Sequence, residues 1–320
     1  MNRLTDNKIV LVMRPTRLAE LVIRFNTVSQ AKFYVEHQGS DFSDYLREDQ
    51  TYHRALTDTE EALGQVGLVQ TVDRNFLPNF VFAPEDTVVT LGQDGLVANT
   101  LKYLDGQPVV GVNPDPERWD GRLLPFRVRD LAKLMPEVVL RKRSTRSVTM
   151  AKASLNNGQT LYGVNDLFIG PKTHTSARYF IRSGGAGEAH SSSGVIVSTG
   201  VGATGWLRSL LTGAGAIANA AGNRGKSEPG QPGLYERAVT GFNWESDYLY
   251  FTVREPFPTK TTKAKLVFGR VTPESPLILE SQMAENGVIF SDGIEQDFLE
   301  FNSGTKAVIG IAEKKGVLVE

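Results

Sequence analysis

The stretch Thr87 to Leu104, TVVTLGQDGLVANTLKYL, passes from a short run rich in Val and Thr, through a carboxylate bounded by two glycines, into a helix-like segment. The β-branched run suits a strand, and Leu96 to Leu104 suits a helix. Working outward, Lys8 to Met13 (KIVLVM) is a continuous apolar run of buried-strand length, ended by Pro15-Thr16 ahead of a helical stretch around Leu18 to Phe25. Gly67 to Val72 and Pro108 to Val112 are further β-rich runs. Between the first of these strands and Gly67, Asp41 to Leu63 carries Tyr45, Leu46, Tyr52 and Leu56 at helix-like intervals without Gly or Pro, and reads as one long exposed helix. Strands alternating with helices predict a parallel α/β layer for residues 1 to about 130.

Beyond Leu140 the texture changes to short strands separated by turn signals: Leu161 to Ile169, Ala177 to Ile181, Gly194 to Thr199, Tyr248 to Val253 and Lys265 to Phe268. Trp206 to Ala221 reads as a single helix whose continuity is put in question by Gly213 and Gly215. Asn223 to Gly233 (NRGKSEPGQPG) reads as a mobile surface loop. The expected organisation is an α/β domain over residues 1–135 and a β-rich domain over residues 136–320.

A chain of 320 residues is long enough for two domains, and 40% apolar with 22% charged residues is an ordinary globular composition. The net charge of −1 supplies no overall basic field, which argues against nucleic acid as a main partner, although Arg141-Lys142-Arg143 and Arg146 are candidate anion contacts. The absence of cysteine excludes disulfides, thiolate metal sites and cysteine nucleophiles. His37, His53, His174 and His190 are too scattered for a zinc motif and read as surface or packing residues. No apolar run approaches the ~18 residues of a membrane span. The opening MNRLTDNKIVLV has no signal-type core or arginine-rich transit pattern, so the expected location is the cytoplasm.

Four short motifs carry chemistry. In Leu91-Gly92-Gln93-Asp94-Gly95 the glycines permit a tight turn and close backbone approach, and the helix that follows offers free amides and a positive dipole end to a phosphate. Asp94, at the carboxyl edge of a parallel sheet, can accept a proton from a hydroxyl attacking a phosphate; it can equally cap the helix. Ser198 to Trp206, STGVGATGW, formally matches a dinucleotide fingerprint at Gly200, Gly202 and Gly205 but lies in the wrong half of the chain for one. A turn lined by Ser198, Thr199 and Thr204, with Trp206 offering a flat face to a ring, is the better ligand reading, and a capping loop over a core tryptophan is the alternative. Asn165-Asp166 is a polar pair able to hydrogen-bond ribose or a base edge, or simply a turn. Ile289-Phe290-Ser291-Asp292-Gly293 reads only as a hairpin turn.

Together and in this order, the four sites resemble the NAD kinase family over nearly the whole chain. The family's Gly-Gly-Asp-Gly motif appears as Gly92-Gln93-Asp94-Gly95, its Asn-Glu or Asn-Asp motif as Asn165-Asp166, and its Ser/Thr-rich glycine loop as residues 198–206. The stretch PVVGVNPDPERWDG at 108–121, Ser192-Ser193-Gly194, the loop ending in Trp206, and FTVREPF at 251–257 look like the mitochondrial-type branch. The resemblance implies a fold of the NAD kinase/diacylglycerol kinase-like class, with an active site between an α/β domain and a β-rich domain. It implies transfer of a phosphoryl group from ATP, with Mg2+, to the 2′-hydroxyl of NAD, by a homodimer. Asp94 would be the general base, Gly92 and Gly95 would shape the triphosphate site, Asn113 would border the cleft, and Asn165, Asp166, Ser198, Thr199, Gly202, Thr204 and Trp206 would position NAD. Gln93 replaces the usual second glycine, so its side chain would either crowd the phosphates, or require a backbone angle that suits glycine, or point outward. Two alternatives share these motifs: a kinase of the same superfamily acting on a sugar, a lipid or another nucleotide, and a nucleotide-binding regulator without activity.

Overall fold

The computed structural model describes residues 3–221 and 238–320, so the loop expected at Asn223–Gly233 lies outside the described residues. The chain divides into two compact units. The first ends at Arg146 and regains the C-terminal Val317–Glu320; the second is Ser147–Gly316.

The first unit comprises β1 (Lys8–Met13), α1 (Arg17–Phe25), α2 (Val28–His37), α3 (Ser43–Gly64), β2 (Leu68–Asp73), β3 (Thr87–Leu91), α4 (Asp94–Leu101), β4 (Pro108–Asn113), β5 (Phe126–Arg127) and α5 (Leu131–Val139). The strands are parallel in the order β2-β1-β3-β4-β5, and Val317 and Leu318 pair with the start of β4. Ile9 to Val12 and Thr87 to Leu91 are buried throughout because both sheet faces are covered, which is why these strands read as unbroken apolar runs. Tyr52, Ala55 and Leu63 of α3 and Leu131, Leu134, Met135 and Val138 of α5 share one core with Ile9, Leu11, Val89, Leu91 and Val110. The chain leaves β1 for β2 in one direction and β3 for β4 in the other, so right-handed crossovers set α3 and α4 on opposite faces. That reversal makes the carboxyl ends of β1 and β3 the topological switch point, where sheets of this order bind ligands. The residues there are Arg14 and Gly92.

One sequence-based expectation is refined here, and two further helices are found. The segment expected as an exposed helix is α3, but Glu48, Tyr52, Ala55, Thr59 and Leu63 form a buried stripe along it. Two of the five are polar and hid the stripe. Glu48 is neutralised by Arg14 and Arg17, and the Thr59 hydroxyl donates to the Ala55 carbonyl at 2.6 Å. Helix α2, capped by Thr27, and helix α5, which spans residue 135, were not expected as helices.

The second unit contains most of β6 (Thr145–Leu155), then β7 (Thr160–Gly163), β8 (Asp166–Pro171), β9 (Ala177–Ser183), β10 (Ala186–Ser192), β11 (Val195–Ser198), α6 (Trp206–Ala220), β12 (Leu249–Val253), β13 (Phe268–Val271), β14 (Leu277–Ser281), β15 (Gly287–Ser291), β16 (Ile294–Glu300) and most of β17 (Lys306–Val319). One sheet runs β10-β9-β14-β17, with β6 beside β17 and β7 beside β6; the other runs β13-β12-β11-β8-β15-β16. Tyr179, Ile181, Leu277, Leu279 and Ile309 of the first sheet share a core with Leu167, Ile169, Val195, Val197, Phe251 and Ile289 of the second, the packing of a sandwich. The strand expected over Leu161 to Ile169 is two strands, broken at Val164-Asn165. Helix α6 runs continuously through Gly213, at which an added Cβ would meet nothing within 4 Å. Among the described residues no helix is long and apolar enough to cross a membrane.

Candidate functional site

In the first unit the turn after β3 begins with Gly92, where an added Cβ would come within 2.8 Å of the Leu96 side chain. Gln93 adopts φ −111° and ψ 165°, ordinary extended backbone, so its side chain imposes no strain on the loop. Gln93 holds the N-cap position without a capping side-chain bond, and Asp94 is the first residue of α4. Asp94 therefore does not cap its helix. Its Oδ1 accepts from the Leu123 amide at 2.7 Å, and Oδ2 has no hydrogen-bond partner among the described residues. One oxygen is anchored and the other is available. Gly95 is exposed, and an added Cβ there would meet nothing within 4 Å among the described residues. The Leu96 amide already donates to the Gln93 carbonyl at 2.9 Å, whereas those of Asp94 and Gly95 have no acceptor among the described residues, and an oxyanion is the natural partner of such orphan donors.

Asn113 ends β4 and is buried; its Oδ1 accepts from the Asp115 amide at 3.0 Å and its Nδ2 donates to the Trp119 carbonyl at 2.9 Å. It shapes the segment that carries Leu123. Sequence reading overlooked Arg14, which is 7% exposed at the end of β1, with Cδ 3.7 Å from the position of a Cβ on Gly92. Its guanidinium donates to Glu48 at 2.9 Å and to the Pro15 carbonyl at 3.0 Å, while Nε is buried without a partner among the described residues.

In the second unit the break between β7 and β8 presents Asn165 and Asp166. Asp292 holds this turn from beneath: its carboxylate accepts from the amides of Val164 at 3.0 Å, Asn165 at 2.6 Å and Asp166 at 3.3 Å. Asp292 itself sits at φ 54°, a left-handed conformation that Asp tolerates better than most residues. The pattern Ser-Asp-Gly announced the turn at 291–293 but not what its carboxylate would hold. From the other side Thr199 donates its hydroxyl to the carbonyls of Val164 and Asn165, and its amide donates to Asn165 as well. Ser198 pairs with Asp166 in register and is fully buried. The hydroxyls of Ser198 and Thr199 are thus engaged with backbone and act on the turn rather than facing outward. An added Cβ on Gly202 would lie 2.0 Å from the Asn165 carbonyl, and one on Gly200 2.1 Å from that of Asn243. These glycines serve close contact between protein segments, which explains their spacing without a pyrophosphate. Thr204 is half-buried, its methyl 3.6 Å from where a Cβ on Gly241 would stand. Trp206, 36% exposed, stacks on Phe168 at 5.8 Å with Arg254 5.5 Å from its ring, so part of the flat face expected for a ligand is covered by protein.

With the backbone of the turn satisfied, the Asn165 amide group and the Asp166 carboxyl have no side-chain hydrogen bond among the described residues. Burial, and after it the negative charge of Asp292, pushes the Asp166 carboxyl up from 3.8 to about 7. The unfolded chain ionises this group near its ordinary value, so the folded state binds the extra proton between about pH 4 and 7 and loses stability as pH rises through that window. Above about pH 7 the full cost is present. Asp166→Asn is expected to flatten this slope and to unfold at higher denaturant than the wild type at pH 8, by up to a few kcal/mol, at about 1.4 kcal/mol for each tenfold change in proton affinity. Urea unfolding at pH 5 and pH 8 measures it; equal slopes in the two proteins would contradict the assignment.

Of the four histidines, His190 is buried against Glu188 at 2.7 Å, and His37, His53 and His174 are exposed, as packing and surface residues. Arg141, Arg143 and Arg146 pair with Glu85, Glu137 and Glu320.

No protein-family model matches this sequence, and no curated protein matches it. Its fold does have solved counterparts. A crystal structure of an NAD kinase from Archaeoglobus fulgidus in complex with ATP superposes with a TM-score of 0.58 at 16% identity, covering 98% of this chain and 93% of that one. The yeast NADH kinase complexed with NADH gives a TM-score of 0.56 at 14% identity, covering 98% of this chain and 84% of that one. The fold is that of the NAD kinases, in the arrangement expected from the sequence: a parallel α/β sheet and a second, antiparallel β-rich part.

Proposed function

We propose that this chain is an NAD kinase, transferring the γ-phosphoryl group of ATP to the 2′-hydroxyl of NAD to give NADP. The observation that carries the reading is Asp94: one carboxylate oxygen is fixed by the Leu123 amide and the other is free, in the first turn of α4 beside the switch point of the sheet. In this reading the free oxygen takes the proton of the attacking hydroxyl as the new O–P bond forms and ADP leaves. The amides of Asp94 and Gly95, at the exposed start of α4, receive triphosphate oxygens. Arg14, beside Gly92, adds positive charge there.

Asn165 and Asp166 offer unmatched hydrogen-bonding groups to NAD. A ribose hydroxyl donating to Asp166 favours its ionised form, so NAD binding would tighten as pH rises towards and past about 7. Ser198, Thr199 and Gly202 hold that turn, and Thr204 and Trp206 border it. Magnesium accompanies ATP and offsets charge on the phosphoryl group in transfer. Such an ion takes most of its ligands from phosphate and water and needs only one or two carboxylates. The described residues contain no cluster of three metal-ligating side chains. The motifs at 108–121 and 251–257 favour the mitochondrial-type branch, and with it a homodimer.

The test is direct. The purified chain is incubated with ATP, magnesium and either NAD or NADH, and the product is read with an NADP-specific dehydrogenase. NADP is the expected product. NADPH alone would shift the acceptor to the one held by the yeast structure. Failure to form either from several donors, with the protein shown to be folded, would overturn the proposal.

A further inference from the structure

The segment between β4 and β5 carries the backbone amide that holds Asp94 among the described residues, and its own anchorage is far from Asp94 in sequence. The Leu123 amide holds Oδ1 of Asp94. Leu123 is 3% exposed, and its carbonyl lies 2.0 Å from where a Cβ on Gly111 would be, so the returning chain lies directly on β4. Gly121, at φ 64°, makes the turn, with space for a Cβ already taken by Asn113 Nδ2 at 2.8 Å. The outer end of the segment is tied down by Arg118. Its guanidinium forms a two-point contact with Asp44 at the start of α3, at 2.6 and 3.1 Å, and its Nε lies 3.4 Å from Asp115. Arg118, and after it Arg17, holds the Asp44 carboxyl far below the usual range.

The contact does not stop at Asp44. Arg17 donates to Asp44 at 2.7 Å and also to Glu48, and Glu48 accepts from Arg14 at 2.9 Å. Burial works against the Glu48 charge, but the bonds from Arg17 and Arg14 outweigh it and keep its carboxyl below the ordinary value. Arg14 then lies against Gly92. One chain of charged groups, Arg118–Asp44–Arg17–Glu48–Arg14, therefore runs from the segment that carries Leu123 to the Arg14 side chain beside Gly92.

We propose that Arg118 and Asp44 are positioning residues for the reaction: their clasp sets the place of the Leu123 amide and, through it, the direction of the Asp94 carboxylate. This rests on the kinase reading of Asp94. Magnitudes separate it from a merely stabilising role. Arg118 and Asp44 are 22% and 39% exposed, and ion pairs of that exposure contribute about 0–1 kcal/mol to folding. A catalytic group moved by about 1 Å can lose about 100-fold in rate. The clasp thus matters little to stability and strongly to turnover.

The experiment compares the full chain with Arg118→Ala, Arg118→Lys and Asp44→Asn. Arg118→Ala is expected to lower kcat by about 10- to 100-fold with KM for ATP and NAD changed by less than about threefold. Hydrogen exchange of the Leu123 amide should speed up by about tenfold or more while amides of β12 and β14 keep their protection. Arg118→Lys keeps the charge but loses the fork, so it should fall between wild type and Arg118→Ala in both readouts. It also serves if the alanine variant fails to fold. Asp44→Asn should follow Arg118→Ala. A kcat within twofold of wild type, or unchanged exchange at Leu123, would overturn the proposal. Were the wild type itself to form no NADP, the kinase reading would fall, and exchange at Leu123 alone would decide whether the clasp holds the partner of Asp94.

Discussion

Asp94→Asn is expected to lower turnover by about 10²–10⁴-fold, the range for loss of a general base, while leaving the fold and substrate binding nearly unchanged. The substitution preserves shape. The amide oxygen of Asn can still accept from Leu123, the bond that anchors Oδ1 at 2.7 Å in the wild type. What disappears is the proton affinity of the second oxygen. Because the proton is shared only in the transition state, the loss should sit in kcat rather than KM. Helix capping would predict a different result, since Asn caps about as well as Asp; but Gln93 occupies the cap, so little change in stability is expected. Steady-state kinetics and thermal unfolding of the two proteins measure both sides. Retention of more than about a tenth of wild-type kcat, short of the lower end of the general-base range, would remove Asp94 from the mechanism. Gln93→Gly is the control: since Gln93 already has an extended backbone, activity should change little.

The residues that decide the fold were legible because their burial is uniform. Strands β1, β3 and β4 are covered on both faces, so their apolar runs are continuous and their ends nearly coincide with the composition change. The loop at 92–95 was legible for the same reason: glycine and a carboxylate directly follow such a strand. Partners set by the tertiary structure were not. Arg14 meets Glu48 across 34 residues, and Arg118 meets Asp44 across 74, pairings that depend on where α3 and the segment after β4 come to lie. The polar stripe of α3 hid its buried face, and β14 and β17 mix buried with more exposed positions in a way that short apolar runs do not reveal. The candidate ligand turn was half legible. Asn165-Asp166 stood out as polar residues within β-type sequence, whereas the inward hydroxyls of Ser198 and Thr199 could be assigned only once their backbone partners were known.

Asp292 is the residue for which the sequence signalled least and the structure demands most. Its carboxylate accepts three backbone amides of the Asn165-Asp166 turn, and hydrogen bonds to a charged group contribute about 1.5–3 kcal/mol each, though not additively. Asp292→Ala leaves those donors without the acceptor. Half-burial at position 292 lets water replace part of what is lost, and removal of the negative charge relieves Asp166. The expected net destabilisation is about 2–4 kcal/mol, accompanied by weaker NAD binding as the turn loosens. Two companion variants separate carboxylate from backbone. Alanine at φ 54° also carries a left-handed penalty of about 1–2 kcal/mol, which glycine lacks. If the carboxylate is the cause, Asp292→Gly should remain destabilised by most of the alanine value, and Asp292→Asn, with a single acceptor oxygen and a donor turned towards other donors, should recover little. If instead Asp292→Gly unfolds at the wild-type denaturant concentration, the Asp292 carboxylate contributes nothing to stability, and the support of the Asn165-Asp166 turn must come from Thr199 and the backbone bond from residue 292 to Asp166.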